Sequence, residues 1–575
     1  MQDAVEEVAA AMAAETHQKL FAKLQLPALS LPELSCGCAS ERQLFSWLEK
    51  YDLQPYQSAD QLRLASLLST LIDEVAQWRA PASKRLAMLD LLREYAVACA
   101  EAMAIQRAVM ANAQTAELRK IVLAAVRLLQ QLGKAFASVA QQLTGESGLA
   151  LILRERRARS LQRAVDSYAR VVQIVSLFGL GTPQHCWRNM QILVRLAQLQ
   201  KLDAKQVGDT LSPRSKSSAT GAYLQVVLFA SANPTQLNTR EQELLWGLAR
   251  DWSRAAQIVL NFTERENALL ASLALDQPPV PANRLGNCKV DLRHFTAPQG
   301  WKVDLTKMLD LLERQMKRRH DPLLEKLYHG WASKAGRSER RTPLQQNCEF
   351  VIGIGAICHH LGADAPDGRS APQGFFQWSE PDRDHLCLEV PTVDYGSGKA
   401  VGEYDVVLPS APSLRRDSRA RAGSGAEKAA ERYRPQVASV LNCSGRGIGL
   451  SLPPSSCDKL RVGELVGIRL EEKWQVAVVR WQHTLPDHSR AGVEVLAADS
   501  MPVQVQRHTA AGHLSAPIAG LLVKSSVEDK PALILPVPLF KAHDSVELRA
   551  NSDSQPVTLQ RQTLATGSFA RFEFV

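Results

Sequence analysis

The stretch Val437-Ala438-Ser439-Val440-Leu441-Asn442-Cys443-Ser444-Gly445-Arg446-Gly447-Ile448-Gly449-Leu450 decides how the second half of this chain is read. Its opening is small and β-branched, as in a short strand, and a polar, glycine-rich turn follows. Strand alternation sends Asn442 and Ser444 to one side, where an amide and a hydroxyl can hydrogen-bond a ligand. Gly447 and Gly449 let the backbone turn tightly and come close to it. Read for structure alone, the same letters describe a turn between two strands, with Asn and Gly supplying its geometry.

Working outward, short alternating or β-branched runs separated by turns continue on both sides. They are His385 to Val390, Tyr404 to Leu408, Leu465 to Leu470, Trp474 to Trp481 and Ala491 to Leu496. The tail repeats the pattern in Ile518 to Val523, Ala532 to Val537, Ser545 to Ala550, Pro556 to Thr563 and Phe569 to Val575. A second β module therefore closes the chain.

The first half has a different period. Leu86, Leu89, Leu92, Ala96, Cys99 and Met103 recur at steps of three and four, with Asp90, Glu94 and Glu101 on the opposite side. Similar stripes run through Leu118 to Leu143, Ser160 to Leu177, Trp187 to Leu202 and Glu241 to Phe262. Breaks fall at Gly179-Leu180-Gly181-Thr182-Pro183 and Asn233-Pro234. No fixed-period repeat is present, so an irregular helical bundle is expected rather than a tetratricopeptide array. Gln277-Pro278-Pro279-Val280-Pro281-Ala282 cannot continue a helix and reads as a linker. Val303 to Arg319 and Pro322 to Ala335 return to helical period, and Phe350 to Ile357 is a buried run that fits helix or strand.

The expected fold is multidomain α plus β, with residues 1–275 a helical domain, 276–410 a linker and mixed α/β region, 411–502 a β-barrel and 503–575 a C-terminal β module. At 575 residues the chain is too long for one core. Its 45% apolar and 22% charged residues are ordinary for a globular protein. A net charge of +9 favours anionic partners without choosing among them. The acidic start Met1-Gln2-Asp3-Ala4-Val5-Glu6-Glu7-Val8 does not read as a secretory signal. No apolar stretch approaches the roughly 20 residues that span a bilayer. Ten irregularly spaced cysteines fit a reducing compartment, and a cytoplasmic location is expected.

The Asn-x-Ser-x-x-Gly pattern of residues 442 to 447, with Arg415 and Arg419 upstream in Arg-x-x-x-Arg spacing, resembles the PilZ family. Val476-Ala477-Val478-Val479-Arg480-Trp481 and Ala491-Gly492-Val493-Glu494-Val495-Leu496 resemble the closing strands of that barrel, in the expected order. The resemblance covers roughly residues 411 to 502 and implies a receptor for the bacterial messenger cyclic di-GMP. It makes Arg415, Arg419, Asn442, Ser444 and Gly447 the candidate ligand-binding residues. Guanidinium suits this ligand because it forks onto phosphate and stacks on a flat ring. The chain departs from the family where a first strand should lie between the arginine pair and the Asn motif. Gly423-Ser424-Gly425-Ala426-Glu427-Lys428-Ala429-Ala430 stands there and reads as loop or short helix. Arg432, Arg434 and Arg446 are therefore alternative cations, and a degenerate, ligand-free barrel is the alternative site reading. Taken alone, the basic segment Pro409 to Ala430 is a flexible linker.

Other constellations carry less. Cys358-His359-His360 with His385 and Cys387 matches no zinc spacing, so no metal site is expected. Cys36-Gly37-Cys38 reads as loop, and Gly398-Lys399 lacks the remaining letters of a phosphate loop. No nucleophile, base and orienting acid come together, so the chain reads as a non-enzyme with no catalytic residues and no cofactor. Two functions follow. The first is a cyclic di-GMP effector that relays binding to a protein partner through its helical half; the second is a scaffold with a ligand-free barrel. Nucleic acid is disfavoured as a partner because the basic segment carries no interleaved aromatics.

Overall fold

The computed structural model describes residues 17–50, 58–109, 115–211, 215–260, 268–282, 295, 299–318, 321–332, 342–363, 433–453, 460–471, 473–484, 488–497, 499–507, 514–524, 531–550 and 553–575. The expected strands His385 to Val390 and Tyr404 to Leu408 fall outside these residues.

The first half is a bundle of helices: α1 (Glu41–Leu48), α2 (Ser58–Gln77), α3 (Ala82–Val109), α4 (Thr115–Gly145), α5 (Ala150–Leu177), α6 (Cys186–Leu199), α7 (Ala219–Ser231) and α8 (Thr239–Trp252). Side-chain caps fix several starts. Ser40 accepts from the Gln43 amide ahead of α1, and Asn238 and Glu241 form a reciprocal capping box at α8. The apolar stripe from Leu86 to Met103 is fully buried, as its period requires.

The polar side of α3 is tied to α5 by ion pairs. Asp90 pairs with Arg159 and Arg163 of α5, and Glu101 pairs with Arg170. Deeper in, Arg93 Nη2 lies 2.6 Å from Asp166 and Nη1 lies 2.8 Å from Asp209, which also holds Arg163 at 2.9 Å. Asp166 completes the network by accepting from Arg170 Nε at 2.9 Å. Burial works to raise the Asp166 pKa, yet Arg170 and Arg93 hold it well below the usual carboxylate range. Asp209 lies in the short two-stranded turn formed by β1 (Val207–Gly208) and β2 (Lys216–Ser217), which the network ties to the bundle.

The residue 276–300 stretch is more than a linker. Strands β3 (Gln257–Val259), β4 (Ala268–Ser272), β5 (Val280–Pro281) and β6 (Gly300–Asp304) form an antiparallel sheet in the order β3-β6-β4-β5, which crosses the expected boundary at residue 275. Its Trp301 and Val303 are buried in the bundle core, so packing overrides the proline-rich composition. The helical period expected to run to Phe262 stops earlier, at Trp252, before β3. Two more helices follow, α9 (Thr306–Arg318) and α10 (Pro322–Trp331).

The middle barrel draws one strand from outside the 411–502 window. β7 (Thr342–Ile352) joins β8 (Gln436–Cys443), β9 (Gly447–Leu452), β10 (Leu465–Leu470), β11 (Lys473–Thr484) and β12 (Ser489–Ala497) in a closed barrel ordered β10-β11-β12-β9-β8-β7. The missing first strand therefore precedes residues 364–432 rather than following Arg419. The run Phe350 to Ile357 is both elements in turn, because Gly353 at φ +89° separates β7 from α11 (Ile354–Ala363).

The C-terminal barrel closes as β13-β14-β15-β18-β17-β16, from β13 (Ser500–Arg507), β14 (Ile518–Lys524), β15 (Pro531–Pro536), β16 (Ser545–Ala550), β17 (Asp553–Ala565) and β18 (Phe569–Phe574). α11 is wedged between the barrels. Ile357 and Cys358 share one apolar cluster with Val476 of the middle barrel and Leu521, Ile534 and Phe569 of the last. The Cys358 thiol donates to the Gly520 carbonyl, and the Ser568 hydroxyl donates to that of Gly463 at 2.9 Å.

Candidate functional site

The Asn motif occupies the turn between β8 and β9. The Ser444 amide donates to the Gly447 carbonyl at 2.8 Å, and the Gly447 amide returns a bond to Ser444 Oγ at 3.2 Å. Ser444 and Gly447 are thus brought together, just beyond Asn442 at the end of β8, with the Ser444 hydroxyl proton left to donate elsewhere. Arg446 is exposed at the tip of the turn, and its carbonyl accepts from the Val495 amide at 2.8 Å.

A transverse row of residues crosses four strands beside this turn. Asn442 pairs with Gly449, Gly449 with Gly492, and Gly492 with Trp481. Ile448, Leu450, Ala491 and Val493 point into the barrel core, so the alternating row lies on the outer wall. Both glycines are required by their neighbours. A Cβ on Gly449 would sit 2.9 Å from Asn442 Oδ1, and one on Gly492 would run into the Trp481 indole. The outcome is a strip without side chains of its own, buried beneath an amide from one side and an indole from the other.

The same wall meets the helical half. The turn after α5 approaches β11 at Gln482 and His483, two residues that directly follow Trp481. Partial desolvation against the neighbouring turn and the nearby Arg490 both lower the His483 pKa, although the residue keeps an exposed edge.

The candidate cations fall in different places. Arg415, Arg419 and Arg432 lie outside the described residues. Arg434 is exposed beyond the far end of the eight-residue strand that carries Asn442, about 26 Å away at roughly 3.3 Å per residue. A second Arg-x-x-x-Arg pair was missed by the sequence reading: Arg337 and Arg341, in Arg337-Ser338-Glu339-Arg340-Arg341. These also lie outside the described residues, but Arg341 is bonded to Thr342, whose register partner is Cys443. The signal was the spacing itself, which becomes meaningful once β7 is known to be the barrel's first strand.

Three family models match the chain in order: the N-terminal domain of the cyclic-di-GMP receptor FimW over residues 42–264, its middle PilZ domain over 305–502 and its C-terminal β-barrel domain over 503–575. The chain belongs to the FimW family. The FimW middle-domain match begins before β7 and so takes in the strand that the 411–502 window omits. FimW is described as a receptor, not as an enzyme. No curated protein and no solved structure matches the chain.

Among the described residues, no cluster of His, Cys, Asp and Glu could hold a metal, and no helix is long and apolar enough to cross a membrane. His360 instead stacks on Trp474 at 4.9 Å, with its Nε2 at 2.8 Å from the Tyr433 carbonyl. His385 and Cys387 lie outside the described residues.

Proposed function

We propose that this chain is a cytoplasmic cyclic di-GMP-binding effector that relays messenger binding to a protein partner through its helical half. The observation that carries the reading is the convergence at one barrel edge of the Asn442 to Gly447 turn, the start of β7 and the glycine strip flanked by Asn442 and Trp481. In this reading Arg337 and Arg341 are the cations that fork onto the phosphates. Asn442 and Ser444 hydrogen-bond a guanine edge or a phosphate, Gly447 admits the ligand to the backbone, and Trp481 offers a face for stacking. Arg415 and Arg419, outside the described residues, are the competing pair.

The relay would use the wall itself. Ligand on the turn acts on β9 and on the Arg446 to Val495 bond, β12 passes the change to β11, and β11 bears on the α5–α6 turn. The test is calorimetric titration of the full chain with cyclic di-GMP. Saturable binding lost in Arg341→Ala and Ser444→Ala but kept in Arg415→Ala supports this site. The reverse pattern moves the cations to the 409–430 segment. No binding by folded protein leaves the scaffold reading.

A further inference from the structure

The corner between α4 and α5 exposes large aliphatic side chains that fold stability does not require. Leu149, Leu151 and Ile152 are 74%, 82% and 45% exposed. Leu153, the next residue, turns inward and covers Gly148. The three prongs thus stand in solvent at the tip of the α4–α5 pair. Isolated exposed leucines need no explanation, but three within four positions form a patch that soluble surfaces ordinarily avoid.

What surrounds the prongs is basic. Arg154 and Arg156 follow on α5, and Arg154 Nη2 reaches the Lys201 carbonyl, which brings the end of α6 to the same corner. Lys201 and Lys205 are exposed there. Of the nearby carboxylates, Glu155 is paired with Lys205 at 3.2 Å, leaving Glu146 and Asp203 against the cations. Arg157 is turned inward, donating to the Leu143 and Glu146 carbonyls at the end of α4.

The helix start points the same way. Leu149 stands at the N-cap of α5 without a side-chain hydrogen bond, and the first turn carries no acid. An ordinary start would place Ser, Thr, Asp or Asn there. The free amides and the positive end of the helix dipole remain available to an anion.

We propose that this corner docks on an anionic lipid surface, with Leu149, Leu151 and Ile152 entering the acyl boundary while Arg154, Arg156, Lys201 and the free α5 amides meet phosphate headgroups. Shallow aliphatic insertion ringed by cations is the chemistry of interfacial, reversible membrane binding, and each half alone is weak. A protein groove would satisfy the prongs but leaves the uncapped basic helix start unexplained. The bound chain would present its barrels to the interior while the bundle corner rests on the membrane.

The test is flotation of the full chain with phosphatidylcholine vesicles, with and without phosphatidylglycerol. The expected result is binding to the anionic vesicles only, weakened by salt. Leu149→Ser with Leu151→Ser and Ile152→Ser should reduce it by roughly tenfold or more, as should Arg156→Glu with Lys201→Glu. Leu149, Leu151, Ile152 and Lys201 are exposed and Arg156 is half-buried, so circular dichroism should be unchanged. Absence of binding by folded protein, equal binding to neutral vesicles, or undiminished binding by the triple serine variant would each overturn the proposal. So would a dimer that the triple variant abolishes while vesicle binding is unaffected, because the occupant would then be a second copy.

Discussion

Gly179, at φ +60°, lies against Gln482 so closely that a Cβ would come within 2.8 Å of the Gln482 carbonyl oxygen. The conformation favours glycine, and the approach requires it. Gly179→Leu should therefore push the bundle away from β11 without touching either core. We expect higher hydrogen exchange at Phe178 to Thr182 and at Gln482, with cyclic di-GMP affinity kept and any effect of ligand on the bundle's exchange lost.

Gly449 is held by a different neighbour. Its replacement by alanine forces Asn442 off the outer wall, because Oδ1 already occupies the space. Gly449→Ala should lower cyclic di-GMP affinity by about tenfold, the scale of one lost charge-assisted or polar contact. Isothermal titration reads the affinity, and the far-ultraviolet spectrum should stay unchanged.

Asp166 is pinned between Arg93 and Arg170. Its folded pKa lies below the unfolded value, so its contribution to stability is complete above about pH 4 and is lost as pH falls toward the folded pKa. Acid unfolding of the wild-type bundle should thus steepen below that point. Asp166→Asn removes the carboxylate that two buried guanidiniums share, leaving Arg93 to Asp209 and Arg170 to Glu101, and should cost about 3 kcal/mol at neutral pH, measured by urea unfolding, with the acid slope reduced.

The cysteines give a chemical map. Burial pushes the Cys358 thiol up to about 12 and it is sealed between the barrels, so iodoacetamide should not reach it in native protein. Cys443, half-buried in the ligand turn, should be alkylated faster than Cys358 and be protected by cyclic di-GMP. Mass spectrometry of the peptides checks both.

Much of this architecture was readable in the letters. The stripe from Leu86 to Met103 and the alternation in Leu465 to Leu470 emerged as expected, because one period decides each face. Three strands of the two barrels escaped: β7, whose polar Gln345-Gln346-Asn347 obscures alternation, the short β9 hidden by its glycines, and β13, interrupted by Pro502. Losing β7 also hid the arginine pair beside it, since spacing means little without the strand that anchors it. The glycine strip is invisible for a related reason: Gly449 and Gly492 become neighbours only through register.

One feature of the middle barrel bears on how the chain could change over time. α11 leaves β7 toward residues 364–432, and the chain returns at Tyr433, whose carbonyl meets His360 of that same helix. Departure and return thus share one doorway, and the six-stranded wall closes regardless of how many residues pass between. Lineages could lengthen, shorten or exchange that stretch while the receptor's walls stay intact. A peptide bond cut there would leave two pieces clasped by the pairing of β7 with β8 and β10, so this gene could be split in two and still encode one working body.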